Sequence, residues 1–253
     1  MYETLSTEFL KLRRSKLLIY ALIAGILPSI VKFLQFILGN TDKVDGWQWF
    51  LASRQEIMVF GVLITVILSS SFIFNMEYQY GTASYIYTSR VPKIQIFLAK
   101  LLTIFAVVVL IFAVTLASEL LFGVIAIKTA IPGALLLKLI KVTVWYMLSY
   151  GFLSTIVILI SVLTKRFVLT SVIVFGYMML VFPFHLKNNI YISPFMTPTA
   201  VAARIFGSNN YILVSYFKDV SVNTTAAAVF IIALTAISLA LGLIVYHKSD
   251  ALL

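Results

Sequence analysis

Three ionisable side chains, Lys32, Lys100 and Glu119, stand inside long apolar runs of the sequence. A charge at the bilayer centre costs about 2.5–3.5 kcal/mol on insertion scales, so each is a candidate for a transported ion, a proton relay or a structural pair. Lys32 lies about 20 Å along the first apolar run and is expected to snorkel toward the outer headgroups. Lys100, near the inner end of the third run, is expected to do the same at the opposite surface. Glu119 falls about 27 Å beyond Leu101, near the outer boundary. There it would line an outward exit or pair with Lys138 or Lys141. A proton-coupled carrier needs a carboxylate closer to the midplane, although sodium sites built from backbone carbonyls would leave no such mark.

No catalytic constellation accompanies these residues. The phosphate-cradling G-x-x-x-x-G-K-[ST] pattern is absent, so the chain is not expected to hydrolyse ATP itself. With no H-E-x-x-H and only His185 and His247, histidine ligation of a metal is not expected. Zero cysteines remove disulfides, thiolate metal sites and cysteine nucleophiles. An intramembrane serine protease would need a serine in a glycine-flanked turn and a histidine in a facing helix. His185 instead stands near Pro183 at the end of an apolar run, and no G-x-S-x-G occurs. Asp42, Asp45, Asp219 and Asp250 lie outside the apolar runs, which argues against aspartyl proteolysis. The catalytic, cofactor-binding and metal-binding sets are therefore all expected to be empty.

The elements that must position the charges are membrane helices. Hydrophobic residues make up 62% of the 253-residue chain and charged residues 11%, against about 45–50% and 25% in soluble domains. A bilayer core about 30 Å thick needs about 20 apolar residues per helix. Six runs meet the requirement: 17–38, 57–74, one within 96–125, 142–163, 167–184 and 226–246. The fold class expected is all-α integral membrane, with 1–253 forming a single transmembrane domain. Residues 2–12 place Leu5, Phe9 and Leu12 on one helical stripe, with Glu3, Glu8 and Lys11 off it. This pattern predicts a short amphipathic helix lying in the interface.

The net charge of +10 does not point to nucleic acid, because the cations cluster at the ends of the apolar runs. There they fix orientation and meet anionic lipid. Lys11, Arg13, Arg14, Lys16, Arg90, Lys93, Lys100, Lys165, Arg166 and Lys248 fall on one side if the helices alternate. That side is expected to be cytoplasmic, with both termini there. On the other side, residues 187–225 carry apolar patches broken by Pro194, Pro198 and Gly207. Half-buried or re-entrant pieces and a loop folded on the outer surface both fit this pattern.

Between the second and third runs the chain reads EYQYGTASYIYTSRVPKIQIFLAKLL, from Glu77 to Leu102. An acidic residue closes one span, glycine and threonine open a short helical piece, and Arg90-Val-Pro leads into the next span. A short helix held parallel to the membrane in this position can receive force from a soluble partner; a plain interfacial loop is the alternative. Together with E-F-x-K-L-x-R near the N-terminus, the E-x-x-x-G-T loop and the A-K-L-L approach to the third span, the chain resembles an ABC-2 type permease. The resemblance is to the branch of bacitracin-resistance and lantibiotic-immunity exporters. Glu77, Gly81 and Thr82 match the family pattern after the second span, and Arg90, Lys93, Ala99 and Lys100 match its approach to the third.

The resemblance implies a transmembrane subunit of an ATP-driven exporter in a bacterial plasma membrane, clearing a peptide antibiotic or similar amphiphile. Two permease subunits, identical or sisters, would sit on cytoplasmic ATPases that hold the ATP. The loop Glu77–Ser89 would dock there as a coupling helix. A self-sufficient carrier or channel is the other function class open at this point. An intramembrane enzyme shares only the helix count.

Overall fold

The computed structural model describes residues 2–38, 46–52, 61–82, 91–185, 194–206 and 223–248. The helices are α1 (Tyr2–Arg14), α2 (Leu17–Leu38), α3 (Gly46–Ala52), α4 (Leu63–Gln79), α5 (Lys93–Ile127), α6 (Gly133–Thr164), α7 (Phe167–His185), α8 (Thr197–Phe206) and α9 (Thr224–Lys248). Four of them are long and apolar enough to cross a membrane: α2, α5, α6 and α9, of 22, 35, 32 and 25 residues. The expected second and fifth spans correspond to α4 and α7, which are shorter, at 17 and 19 residues.

Two of the long helices exceed their expected bounds. The third run is the core of a helix that begins at Lys93, and the fourth begins at Gly133 rather than Val142. Lys138 and Lys141 ended the apolar run in the sequence, but both are exposed on a helix that simply continues past them. Pro92 and Pro132 stand at the N-caps of α5 and α6, where a missing N–H costs nothing. Lys128 and Lys165 close the same helices in the left-handed conformation, at φ 59° and 52°. Each cap N–H returns to a helical carbonyl, of Val124 and Ser161.

Small residues set how closely the helices approach. A Cβ on Gly25 of α2 would meet Val114 Cγ1 at 2.9 Å and the Ile111 carbonyl at 3.0 Å. Further along, Ser29 Oγ and Ser118 Oγ are 2.8 Å apart, and the Phe33 and Phe122 rings follow at 5.4 Å. Residue numbers rise together along both helices, so α2 and α5 run parallel and start at the same end. Without a hydrophobic force between apolar helices in lipid, this packing and the hydroxyl bond hold the pair. Phe112, Tyr146 and Tyr150 stack within 18° of parallel at the α5–α6 contact.

Of the segment 187–225, expected on the outer side, the part at 194–202 is buried. Trp145 Nε1 donates to the Pro198 carbonyl at 3.1 Å, and the Tyr150 and Thr199 hydroxyls are 3.3 Å apart. Trp145 and Tyr150 belong to the middle of α6, so α8 starts deep among the helices rather than on an outer surface. Its backbone is enclosed by protein, as irregular backbone at that depth requires. Residues 187–193 and 207–222 of the segment lie outside the described residues.

A buried ion ring as the candidate functional site

Five parts of the chain meet at one end of the bundle. Glu77 is close to the C-terminus of α4, and Lys100 belongs to the first turns of α5. Lys165, in the α6–α7 turn, places its ammonium 5.8 Å from the Tyr78 ring centroid. The Tyr246 ring near the end of α9 packs on Phe97 and Phe74 at 5.5 and 6.4 Å. The fifth part is α1, which reaches the others through charge.

Glu8 and Glu77 are bridged alternately by Lys11 and Lys100. Lys11 Nζ is 2.5 Å from Glu8 Oε1 and 2.8 Å from Glu77 Oε1. Lys100 Nζ is 3.4 Å from Glu8 Oε2 and 2.7 Å from Glu77 Oε1. The four groups close a ring whose charges cancel. Lys100 completes its bonding with the Ile73 carbonyl at 3.2 Å and lies over the Phe74 ring. Three members are almost wholly enclosed, while the Lys11 side chain keeps 36% of its surface. Desolvation costs several kcal/mol per buried ion, so such a ring persists only when every charge is paired. Burial pulls the pKa of Lys11 down, but the Glu77 charge and hydrogen bonds to Glu77 and Glu8 outweigh it. The ammonium is held above its ordinary value of 10.5.

The ring corrects several expectations. Lys100 does not snorkel; it is fully enclosed. Glu77 is 5% exposed and turned inward, so its carboxylate is not itself a surface for another protein. The N-terminal helix buries Glu8 and Leu12 and leaves Phe9 exposed, a stripe rotated from the expected Leu5, Phe9 and Leu12. Glu8 and Lys11 were legible only as a polar pair three residues apart; their partners are on other helices.

Gly81 and Thr82 have a local reason for their types. The Thr82 N–H bonds the Glu77 carbonyl at 2.9 Å, and the Gly81 N–H bonds that of Tyr78 at 3.4 Å. Gly81 has φ 67°. This is the Schellman stop, which needs a left-handed residue just beyond the helix. The pair therefore ends α4 and fixes the direction in which the chain leaves the ring. Lys93 is half-buried in the first turn of α5. Of the expected coupling helix Glu77–Ser89, the part at 83–89 lies outside the described residues, as does Arg90.

Glu119 stands apart from the ring, toward the other end of α5, and is fully buried. The lysines expected to pair with it, Lys138 and Lys141, are exposed, and among the described residues neither forms that pair. Lys32, expected to snorkel, is 0% exposed and donates to the Phe50 carbonyl at 2.9 Å. Phe50 belongs to α3, whose Trp47 packs on Gly123 and donates to the Thr129 carbonyl at 3.2 Å. A buried cation and a buried carboxylate thus share this half of the bundle, under the cover of α3.

Both carboxylates of the ring are bridged by ammonium groups. Its chemistry is to clamp α1, α4 and α5 together where the 80–92 connection leaves the bundle. No curated protein matches the chain. Residues 4–181, which hold the ring, the Schellman stop and both ends of α5, match the family described as ABC-2 family transporter protein. The chain belongs to that family, and is a multi-pass membrane permease component of an ABC transporter, associated with an ABC ATPase.

Proposed function

We propose that the chain is the transmembrane subunit of an ATP-driven exporter that clears a membrane-active peptide antibiotic or similar amphiphile. The single domain crosses the membrane six times, with α4 and α7 as the shorter spans and both termini in the bacterial cytoplasm. Two such subunits, identical or sisters, stand on ATPases that hold the ATP. The observation that carries this reading is the ion ring. It binds the interfacial helix α1 to the helices on both sides of the 77–93 connection. A push on that connection therefore moves α1, α4 and α5 as one body instead of bending a loop.

Cations support the orientation, since Arg13, Arg14, Lys16, Lys93, Lys165 and Lys248 stand at or beyond helix ends on the ring's side. Glu77, Gly81, Thr82, Arg90 and Lys93 form or flank the coupling connection. Glu77 acts from inside as the anchor of the loop, and Gly81 with Thr82 sets its exit. Glu119 serves the outer half of the pathway or its packing.

Purification of the tagged chain from its native membrane in mild detergent tests the reading. The expected result is a soluble ATPase in stoichiometric amount, lost when residues 83–90 are replaced by a glycine-serine linker. Ion-gradient-driven transport by the chain alone in vesicles would overturn it in favour of a self-sufficient carrier.

A further inference from the structure

A groove of about 770 Å³ opens sideways between α2 and α4, at the same end of the bundle as the ion ring. Its rim carries Arg14 and Lys16, with Ser15 and Tyr80 beside them. Below the rim the walls are Ala24 and Leu27 of α2, Leu68 and Phe72 of α4, and Phe167 of α7. The groove is therefore divided along its length, cationic at the mouth and hydrocarbon beneath.

Two details make the division sharper. Thr65 donates to the Gly61 carbonyl and Ser69 to that of Thr65, so the hydroxyls within the groove are satisfied by their own helix. They present carbon, not open polar atoms, to whatever lies there. At the rim the balance is opposite. Arg14 and Lys16 are exposed, and among the described residues neither meets a carboxylate. Lys11 and Lys100, further in, are both saturated by Glu8 and Glu77. Of the basic residues left over at this end, Arg14 and Lys16 are the two that line the mouth of an apolar slot.

The slot has the depth of a lipid. From Leu17 to Leu27 the α2 wall descends about 15 Å, half of a hydrocarbon core about 30 Å thick. Its volume falls in the range of about 300–1,000 Å³ that encloses small ligands. Tyr20, Ile23 and Leu27 are 63%, 53% and 46% exposed on the same side of α2, so the opening faces the surrounding bilayer. We propose that this groove is a binding site for one anionic phospholipid. Arg14 and Lys16 hold the headgroup phosphate, and an acyl chain lies against Leu27, Leu68 and Phe72. Opposite charges at the membrane surface are worth about 1 kcal/mol per basic residue, so two cations favour an anionic over a zwitterionic headgroup about tenfold or more.

Native mass spectrometry of the purified chain, in micelles doped with equal phosphatidylglycerol and phosphatidylcholine, tests the site. The expected result is one retained phosphatidylglycerol per chain, in at least about tenfold preference. The preference falls to near unity in Arg14→Gln/Lys16→Gln and persists in Lys138→Gln/Lys141→Gln, which removes the same charge elsewhere. Ala24→Trp, which fills the slot, loses the retained lipid altogether. Equal retention of both lipids by the unmodified chain overturns the proposal. So does an equal fall in the two charge variants, which would mean general surface attraction. If Leu27→Cys chains instead crosslink to one another in high yield, the groove is covered by a second copy and the proposal also fails. None of these readouts requires the ATPase, so the lipid site and the export function stand or fall separately.

Discussion

Lys100→Met leaves two carboxylates, Glu8 and Glu77, facing the single ammonium of Lys11. The Lys100 side chain is 1% exposed and the carboxylates 3% and 7%, so water cannot replace the lost cation. Breaking a buried pair by deleting one partner costs about 3–5 kcal/mol. An exposed pair is worth about 0–1 kcal/mol. Lys11 is the internal contrast, because its side chain keeps 36% of its surface and water can enter where it stood: Lys11→Met is expected to cost less than Lys100→Met. The decisive variant is Glu77→Gln/Lys100→Met, which removes one charge of each sign and restores neutrality with Glu8 and Lys11. Its cost is expected to fall short of the summed single variants by about 1–3 kcal/mol, the coupling of a shared network. Reversible unfolding in mixed micelles titrated with dodecyl sulfate measures each of these species. A Lys100→Met variant within about 1 kcal/mol of the parent, or a double variant equal to the sum, would refute the ring as a clamp shared by three helices.

Three further outcomes are expected. Because Lys11 has a raised pKa in the folded chain, its contribution is complete below 10.5 and is lost as the pH climbs past that value. Unfolding midpoints of the parent relative to Lys11→Met should be constant from neutral pH to about 10 and converge above it. Gly81→Ala forces a Cβ into the left-handed region and should cost about 1–2 kcal/mol, whereas Gly81→Asn costs less; among the described residues a Cβ there meets no neighbour, so unfolding of the two variants tests the backbone conformation. Gly123→Ala puts a Cβ 2.5 Å from the Trp47 ring and should destabilise by about 1–3 kcal/mol in the same unfolding assay, with Trp47→Leu relieving most of the loss in the pair.

The sequence was most legible where one periodicity decides the matter. The 17–38 run is helical throughout in α2, because one unbroken apolar stretch decides it. Helix ends marked by charge were misplaced, as at Gly133, since a lysine ends an apolar run but not a helix. The family loop was visible as a motif, yet its physical content was not. Nothing in the motif itself showed that Gly81 and Thr82 form the Schellman stop of α4. The charges were read least well. Lys32 and Lys100 were assigned to the headgroups because a cation in an apolar run has no partner in its own neighbourhood. Their partners are the Phe50 carbonyl and the Glu8 and Glu77 carboxylates, supplied by other helices.

At 35 residues, α5 is about 52 Å long, well beyond a hydrocarbon core of about 30 Å. It contains no proline, and its carbonyls run uninterrupted from the ring at one end to the Trp47–Gly123 contact at the other. A rod of that length acts as a lever. Rotating it by about 10° about its middle sweeps each tip through about 4–5 Å in opposite senses, near the pitch of one helical turn. A sideways push at Lys93 would thus return at Gly123 in the opposite sense and with about three quarters of the travel, prying at the cover that α3 places over Lys32.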